Sequence, residues 1–367
     1  MTTTTTTTII HRRPSLLLLL LISVMISLTN TVNALSKPVA VLGGTGRLGQ
    51  QTVRQLINQN IPVKCLVRPD SKNLPKEWEN EPLVEIVRGE LLLLNGKGQP
   101  TYGITNAKPS SELMECLNGC HQCIAVYGAT RRTKVSDFFL FLLNKEIEDI
   151  DPIHAKQINY RSIQGLLKAC TASGGECTHI IRITGKGENP TGKISILINL
   201  LGSFAKAWNY EGEELLRGQT NIGYTIIRPG IMKEKIDEKK KKKDDDPVEP
   251  RYLELMDDGG NELKVSAVEY NEIGELITEL IVIENNENKL NNRRVTLAAM
   301  NVEGIPKEDG RKTLKERVLA LRNDRRDFPK SLIDQHKSAV YGFAKKLALF
   351  GTITIVSLIW FIINKVF

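Results

Sequence analysis

The stretch from Val39 to Asn58 constrains this chain of 367 residues more than any other. Val39-Ala40-Val41-Leu42 is a short apolar run of strand type, and Gly43-Gly44-Thr45-Gly46-Arg47-Leu48-Gly49 follows it as a turn. From Gln50 to Asn58 the apolar positions Val53, Leu56 and Ile57 fall on one helical face. A strand that feeds a helix in this way is followed by a parallel partner, because the helix carries the chain back to the starting edge of the sheet. Ile61–Val67 supplies that partner, and Leu83–Val87, Cys123–Tyr127, His179–Ile183 and Tyr224–Ile227 continue the strand series. Ile163, Leu166, Leu167 and Cys170 recur at helical spacing before the fifth strand. The pattern predicts an α/β domain over 37–302, with a doubly wound parallel sheet of the Rossmann type.

Each glycine of the turn has its own expected duty. Gly43 releases the chain from the strand, Gly46 admits a pyrophosphate close to the backbone, and Gly49 lets the helix pack on the sheet. The phosphates would rest on the first N–H groups of the helix. The end of the second strand then selects the dinucleotide. Leu66-Val67-Arg68-Pro69 sets a cation where an NAD site carries Asp or Glu, and Lys72 is near in sequence. NADP, as NADPH, is therefore expected ahead of NAD.

Together with Val87-Arg88-Gly89-Glu90 and Tyr224-Thr225-Ile226-Ile227-Arg228-Pro229-Gly230, these motifs resemble the atypical short-chain dehydrogenases/reductases of the NmrA-like, NAD(P)-binding group. The resemblance covers roughly Lys37–Asn301. It implies that Gly43, Gly44, Thr45, Gly46, Arg47, Leu48 and Gly49 surround the phosphates, with Arg68 and Lys72 at the 2′-phosphate. It places Gly89 and Glu90 near the adenine, where Glu90 replaces the usual Asp, and Tyr127 and Gly128 beside the nicotinamide ribose. Thr184 stands where active members carry a catalytic Ser.

Active short-chain dehydrogenases protonate the carbonyl oxygen with a Tyr whose pKa is lowered by a Lys four residues on. Here Tyr210 is followed at that spacing by Glu214, and Tyr160 by Gln164. In the related pattern Glu213, Leu216 and Arg217 match, whereas Asn209 occupies the Lys position and Lys206 lies one turn earlier. The catalytic residues stay open. Two functions are compatible with these residues: NADPH-dependent hydride transfer to a small apolar substrate, or a non-catalytic NADP(H)-binding scaffold in assembly or redox sensing.

The ends carry targeting information. His11-Arg12-Arg13, the apolar run Leu16–Leu28 and Val32-Asn33-Ala34 read as a signal peptide over 1–34. Residues 303–346 read as a charged helical linker with Leu314, Val318 and Leu321 on one face, either packed on the domain or lying at a membrane surface. Leu347–Ile363 lacks any charge, follows Lys345-Lys346 and reads as a single transmembrane helix. These features predict a single-pass protein of the endomembrane system, the endoplasmic reticulum first. A plastid membrane is the alternative, because Ala34-Leu35-Ser36-Lys37-Pro38 resembles the junction of signal-led plastid presequences.

The remaining signals are weaker. Fifty Lys+Arg against 42 Asp+Glu leave a net charge of +8, but the densest basic run, Lys239–Lys243, is followed at once by Asp244–Asp246. The span 233–251 thus reads as a disordered polyampholyte, and no nucleic-acid partner is expected. Cys116, Cys120 and Cys123 have iron–sulfur spacing but straddle a helix end and a strand start, so no metal is assigned to them.

Overall fold

The protein is described from a computed structural model over residues 37–91, 108–143, 151–172, 176–235, 251–287, 293–303 and 313–366. The expected signal peptide lies outside the described residues, as does 236–250 of the charged insertion. The strands are β1 (Val39–Leu42), β2 (Val63–Val67), β3 (Val84–Arg88), β4 (Gln122–Ala125), β5 (His179–Ile183), β6 (Gly223–Pro229), β7 (Ile231–Lys233), β8 (Arg251–Met256), β9 (Ala267–Glu269) and β10 (Arg294–Glu303). Eight of them form one sheet in the order β3-β2-β1-β4-β5-β6-β10-β8, parallel except for the β10–β8 pair, while β7 pairs with β9. The order reverses between β2-β1 and β4, which opens a crevice at the carboxyl ends of β1 and β4.

Burial explains why the central strands are largely apolar, with Gln122, His179, Arg182, Thr225 and Arg228 as their buried polar residues. Every residue of β1, β4, β5 and β6 is buried, so neither face can be polar without a partner. On one face, α1 (Arg47–Asn58) packs against α7 (Tyr270–Glu287), and Val53 and Leu56 share a core with Ile273, Leu276 and Ile277. On the other, α2 (Ser111–Leu117) and α4 (Ser162–Ala172) bury Leu113, Cys116, Ile163, Leu166 and Cys170. Cys116, Cys120 and Cys123 all lie in this second cluster, where burial pushes the Cys120 thiol up to about 12. They behave as small core side chains.

Several boundaries differ from the sequence expectation, each for a physical reason. Helix α1 starts at Arg47 and not at Gln50, because Gly46 is its N-cap and the glycine turn runs directly into helix. β10 was not anticipated, since its Ala-Ala-Met centre has weak strand propensity and gains its place by complete burial beside β6. β8 follows the charged insertion, which masked the alternation of Leu253 and Leu255.

The charged stretch expected as a linker packs back on the domain. Thr313 and Glu316 form a reciprocal capping box that starts α8 (Leu314–Ala320), and Val318 is buried against the core that includes α7. Asp324 accepts bonds from the Thr296 N–H and hydroxyl, both at 2.7 Å, and from Tyr224 Oη at 3.0 Å. The last helix, α9 (Ile333–Val366), begins with its Ile333 N–H on Glu211 Oε1 at 3.0 Å and buries His336, Val340 and Ala344. Among the described residues no helix is long and apolar enough to cross a membrane. Part of the 347–363 run falls on side chains outside the described residues.

Candidate functional site

The turn after β1 sits at the crevice. Gly43 has φ +89°, a left-handed conformation, and a Cβ there would come within 2.9 Å of Tyr127 Cβ and N. Gly49 is more tightly confined, because its Cβ would lie 2.2 Å from Gly43 O and 2.6 Å from Gly44 Cα. A Cβ on Gly46 would meet only Gly43 O, at 3.3 Å. The backbone is therefore closed behind Gly43 and Gly49 and open in front of Gly46. Gly46 makes no side-chain cap, and the first turn of α1 carries no acidic residue. Its N–H groups and the positive end of the helix dipole thus suit a phosphate.

Neighbouring residues hold the turn in shape. Gln50 Nε2 donates to Thr45 O at 3.1 Å and Asn73 O at 3.2 Å, while Thr45 and Ser71 hydroxyls approach to 3.4 Å. The β2–β3 loop is thereby tied to the glycine turn. Arg68, at the end of β2, has its side chain 62% exposed and only a loose 3.9 Å contact with Asp70. Lys72 and Arg47 are also exposed, and the Arg47 guanidinium lies 5.7 Å from the centre of the Tyr270 ring. Leu48 is buried and serves packing. Gly89 N donates to Val67 O at 3.0 Å, and a Cβ on Gly89 would strike Glu112. Glu90 is half-buried beside Arg68; burial raises its carboxyl pKa against the opposing pull of the Arg68 charge.

The other side of the crevice is formed by the ends of β4 and β5. Gly128 and Gly185 both face open space. Tyr127 turns inward, its hydroxyl 2.9 Å from Ser162 Oγ and its carbonyl accepting from Arg182 Nη1 at 2.7 Å. Asn159 Oδ1 accepts from the Ala129 N–H at 3.0 Å. A dinucleotide therefore fits the residues present: an uncapped helix start, an open glycine, an exposed cation and an open far end.

No family model matches the chain. Curated relatives include the proteins named TIC 62, chloroplastic, of Pisum sativum and of Oryza sativa subsp. japonica. The first is 30% identical over 203 residues, covering 55% of this chain and 34% of the relative. The second is 27% identical over 199 residues, covering 54% and 36%. The chain spans about a third of the length of these relatives. Among solved structures, a putative NAD-dependent epimerase/dehydratase from Bacillus halodurans is 12% identical, covering 78% of this chain and all of that one, at TM-score 0.49. A short-chain dehydrogenase/reductase from Veillonella parvula in complex with NADP is 14% identical, covering 74% and 95%, at TM-score 0.46. The strand order, the glycine turn at the reversal and the buried Arg228-Pro229 exit of β6 are the features on which the placement stands. The chain has a Rossmann-type fold and resembles the NmrA-like, NAD(P)-binding group of atypical short-chain dehydrogenases/reductases.

The groups that the resemblance would make proton donors are engaged elsewhere. α6 (Ala205–Arg217) carries Lys206, Asn209, Tyr210 and Glu213. Tyr210 Oη donates to Pro329 O at 2.7 Å, and burial pushes its phenol pKa up. Tyr160 packs on Trp208 at 5.4 Å between ring centres, and burial raises its phenol as well. Asn209, at the family's Lys position, accepts from Arg182 Nη2 at 3.2 Å through Oδ1. Thr184 donates its hydroxyl to Glu213 Oε1 at 2.5 Å. Burial works to raise Glu213, but the charges of Arg228 and Arg217 outweigh it and keep the carboxylate ionised. Thr184 and Tyr210 thus donate to fixed protein acceptors.

Lys206 is the exception. Burial first, and then the charges of Arg228 and Lys186, push its ammonium down to about 8. Its Nζ donates to Ser195 Oγ at 2.7 Å, on α5 (Lys193–Leu201). Lys186, from the loop after β5, donates to Gly260 O at 2.5 Å and Leu263 O at 2.9 Å. Ser71, Lys186 and Ser195 were not anticipated from sequence, since each acts through a contact that only the fold brings about, with Thr45, with Gly260 and Leu263, and with Lys206. The only sequence signal was the short polar loop in which Ser71 follows Arg68-Pro69-Asp70.

Proposed function

We propose that this protein binds NADP(H) at the β1–β4 crevice and works at a plastid membrane, with the bound dinucleotide as its regulatory or structural ligand. The observation that carries the reading is the open front of Gly46 at an uncapped helix start, with the exposed Arg68 closing the second strand. When bound, the nicotinamide ring supplies or accepts hydride; the chain's own residues bind the phosphates and orient the two ends. The engaged Thr184 and Tyr210 favour this reading over hydride transfer of the usual Tyr–Lys kind. Support for the plastid, ahead of the endoplasmic reticulum, comes from the chloroplastic names of the relatives and from the Ala34-Leu35 junction. Support for the membrane comes from the uncharged 347–363 run beside Lys345 and Lys346.

Arg68 is the test of cofactor choice. Arg68→Ala is expected to weaken NADPH by about 1.5–3 kcal/mol, the range of a hydrogen bond to a charged group, and to leave NADH nearly unchanged. Isothermal titration of the pure protein with each nucleotide measures both. Equal losses would mean that Arg68 only shapes the loop.

A second reading, an NADPH-dependent reductase of small apolar substrates, is favoured by Lys206 alone. A lysine near neutrality can hand a proton to a carbonyl oxygen directly or through Ser195. The protonated form is the donor, so turnover should fall as pH rises through about 8. Lys206→Met should remove turnover and preserve NADPH affinity in a panel of quinones and enones followed at the NADPH absorbance. Absence of NADPH oxidation across that panel would leave the binding reading standing and remove the reductase.

A further inference from the structure

Two helices of this protein expose apolar side chains and bury polar ones, the inverse of the usual order. α5 exposes Ile194, Leu197, Ile198 and Leu201, a stripe at i, i+3, i+4 and i+7, while it buries the polar Ser195 and Asn199. Ile194 is 70% exposed and Leu201 59%. Among the described side chains of α3 (Val135–Leu142), Val135 is 80% and Phe139 63% exposed while Asp137 is buried on Arg131. A helix in water turns such a stripe toward the core, and an exposed apolar patch of this kind marks an interaction surface.

The inversion is held in place by bonded polar groups beneath the stripe. Asn199 Oδ1 accepts from the Ala207 N–H at 3.0 Å, and its Nδ2 meets His336 Nδ1 at 3.0 Å. His336 in turn lies 2.8 Å from Gly187 O through Nε2, which makes Nε2 the donor and Nδ1 the acceptor of the neutral ring. Ser195 accepts from Lys206. Thr133 N donates to Leu201 O at 2.8 Å, so the approach to α3 is fastened to the end of α5. α9 packs against both helices. The three form one continuous face.

We propose that this face is a docking surface for an anionic lipid bilayer. Two observations select that occupant. First, the face continues into α9, where Phe343 and Leu347 are exposed next to it and Leu349, Phe350, Ile353, Val356 and Trp360 are exposed beyond. A helix that is apolar on several sides needs an apolar medium around it, which a bilayer supplies and a single protein groove does not. Second, exposed cations flank the face among the described residues: Arg132 and Lys134 before α3, Lys193 opening α5, and Lys345 and Lys346 at the foot of the apolar part of α9. Basic residues around an apolar stripe match acidic headgroups above acyl chains. α3 and α5 follow β4 and β5, whose carboxyl ends carry Gly128, Thr184 and Gly185, so the open end of the crevice lies on the membrane side of the domain.

The inference deepens the membrane reading above, and its test separates the two. All six cysteines are buried, so a thiol placed on the surface can be labelled selectively. Leu197→Cys on α5 and, as control, the exposed Glu275→Cys on α7 are labelled in the full chain with a polarity-sensitive fluorophore. Each protein is mixed with vesicles of phosphatidylcholine and phosphatidylglycerol, with and without bromine on the acyl chains. The label at 197 should shift to the blue on vesicle binding and be quenched several-fold by the brominated lipid, with the label at 275 unchanged. Vesicle binding with a water-like label at 197 overturns the docking face and spares the membrane reading. Failure to bind vesicles overturns both. A blue shift at 197 that grows with protein concentration in the absence of lipid assigns the face to a second copy of the chain and overturns the bilayer.

Discussion

Gly46→Val is expected to abolish NADPH binding without unfolding the protein. Gly46 has φ −74° and ψ 166°, an extended conformation that valine adopts readily, and its Cβ would point into open space apart from Gly43 O at 3.3 Å. The new side chain would stand where the pyrophosphate approaches the helix start. Steric exclusion alone corresponds to roughly 10-fold to 100-fold in affinity, and the lost N–H contacts add to it. Titration should show no saturation with NADPH or NADH, while the far-ultraviolet spectrum and melting temperature stay near those of the parent. The contrast is Gly49→Ala, where a Cβ 2.2 Å from Gly43 O must push the turn and helix apart, so stability and binding fall together. A large loss of stability in Gly46→Val would show that the open front is needed for folding and not for a ligand.

The other large effect is expected at the buried ion network under β6. Arg228 and Glu213 have fully buried side chains and pair directly; Arg228 also meets Glu188, which bonds Arg326 at 2.6 Å. Arg217 Nη1 adds a 3.0 Å contact to Glu213. Burial alone would raise Glu188, but Arg326 and Arg228 bring it down to about 2. Glu213→Ala leaves Arg228 in a dry site with half of its compensation gone, and removing one partner of a buried pair costs about 3–5 kcal/mol. Denaturant unfolding should report a loss of that size. The double substitution Glu213→Leu with Arg228→Met should recover much of it, because the pair itself is worth far less than either ion left alone. Because Glu188 is held below its unfolded value, its contribution is present above the ordinary Glu pKa and is lost as pH falls toward about 2.

Much of the sheet was legible in the sequence because its strands are buried on both faces. Complete burial forces apolar runs such as Val39–Leu42 and the Ile180-Ile181 centre of β5, bounded by glycine and polar turns. The glycine turn was legible for a different reason: Gly43 and Gly49 have no room for a Cβ, so the backbone path itself dictates the residue. What sequence could not give was partnership across distance. Asn209 looked like a vacant Lys position, and only the fold shows Arg182 occupying its oxygen. Lys206 stood one turn before the expected Lys position, and only burial and two nearby cations show that its ammonium is pushed down. The outward stripe on α5 was not anticipated, and it follows from Ser195 and Asn199 having partners inside. The resemblance to the NmrA-like group supplied positions for the dinucleotide, but the chemistry at those positions depends on contacts that no motif encodes.

The central claim is that the crevice beside Gly46 takes a dinucleotide whose 2′-phosphate is recognised by Arg68. The most direct measurement is a fluorescence titration of the full-length protein in detergent with NADPH and with NADH, following transfer of protein emission to the nicotinamide. The account predicts saturable binding of NADPH that is at least about 10-fold tighter than that of NADH, the ratio expected for one charge-assisted contact. Equal affinity for the two nucleotides would contradict the assignment of Arg68, and absence of binding by either would contradict the site itself.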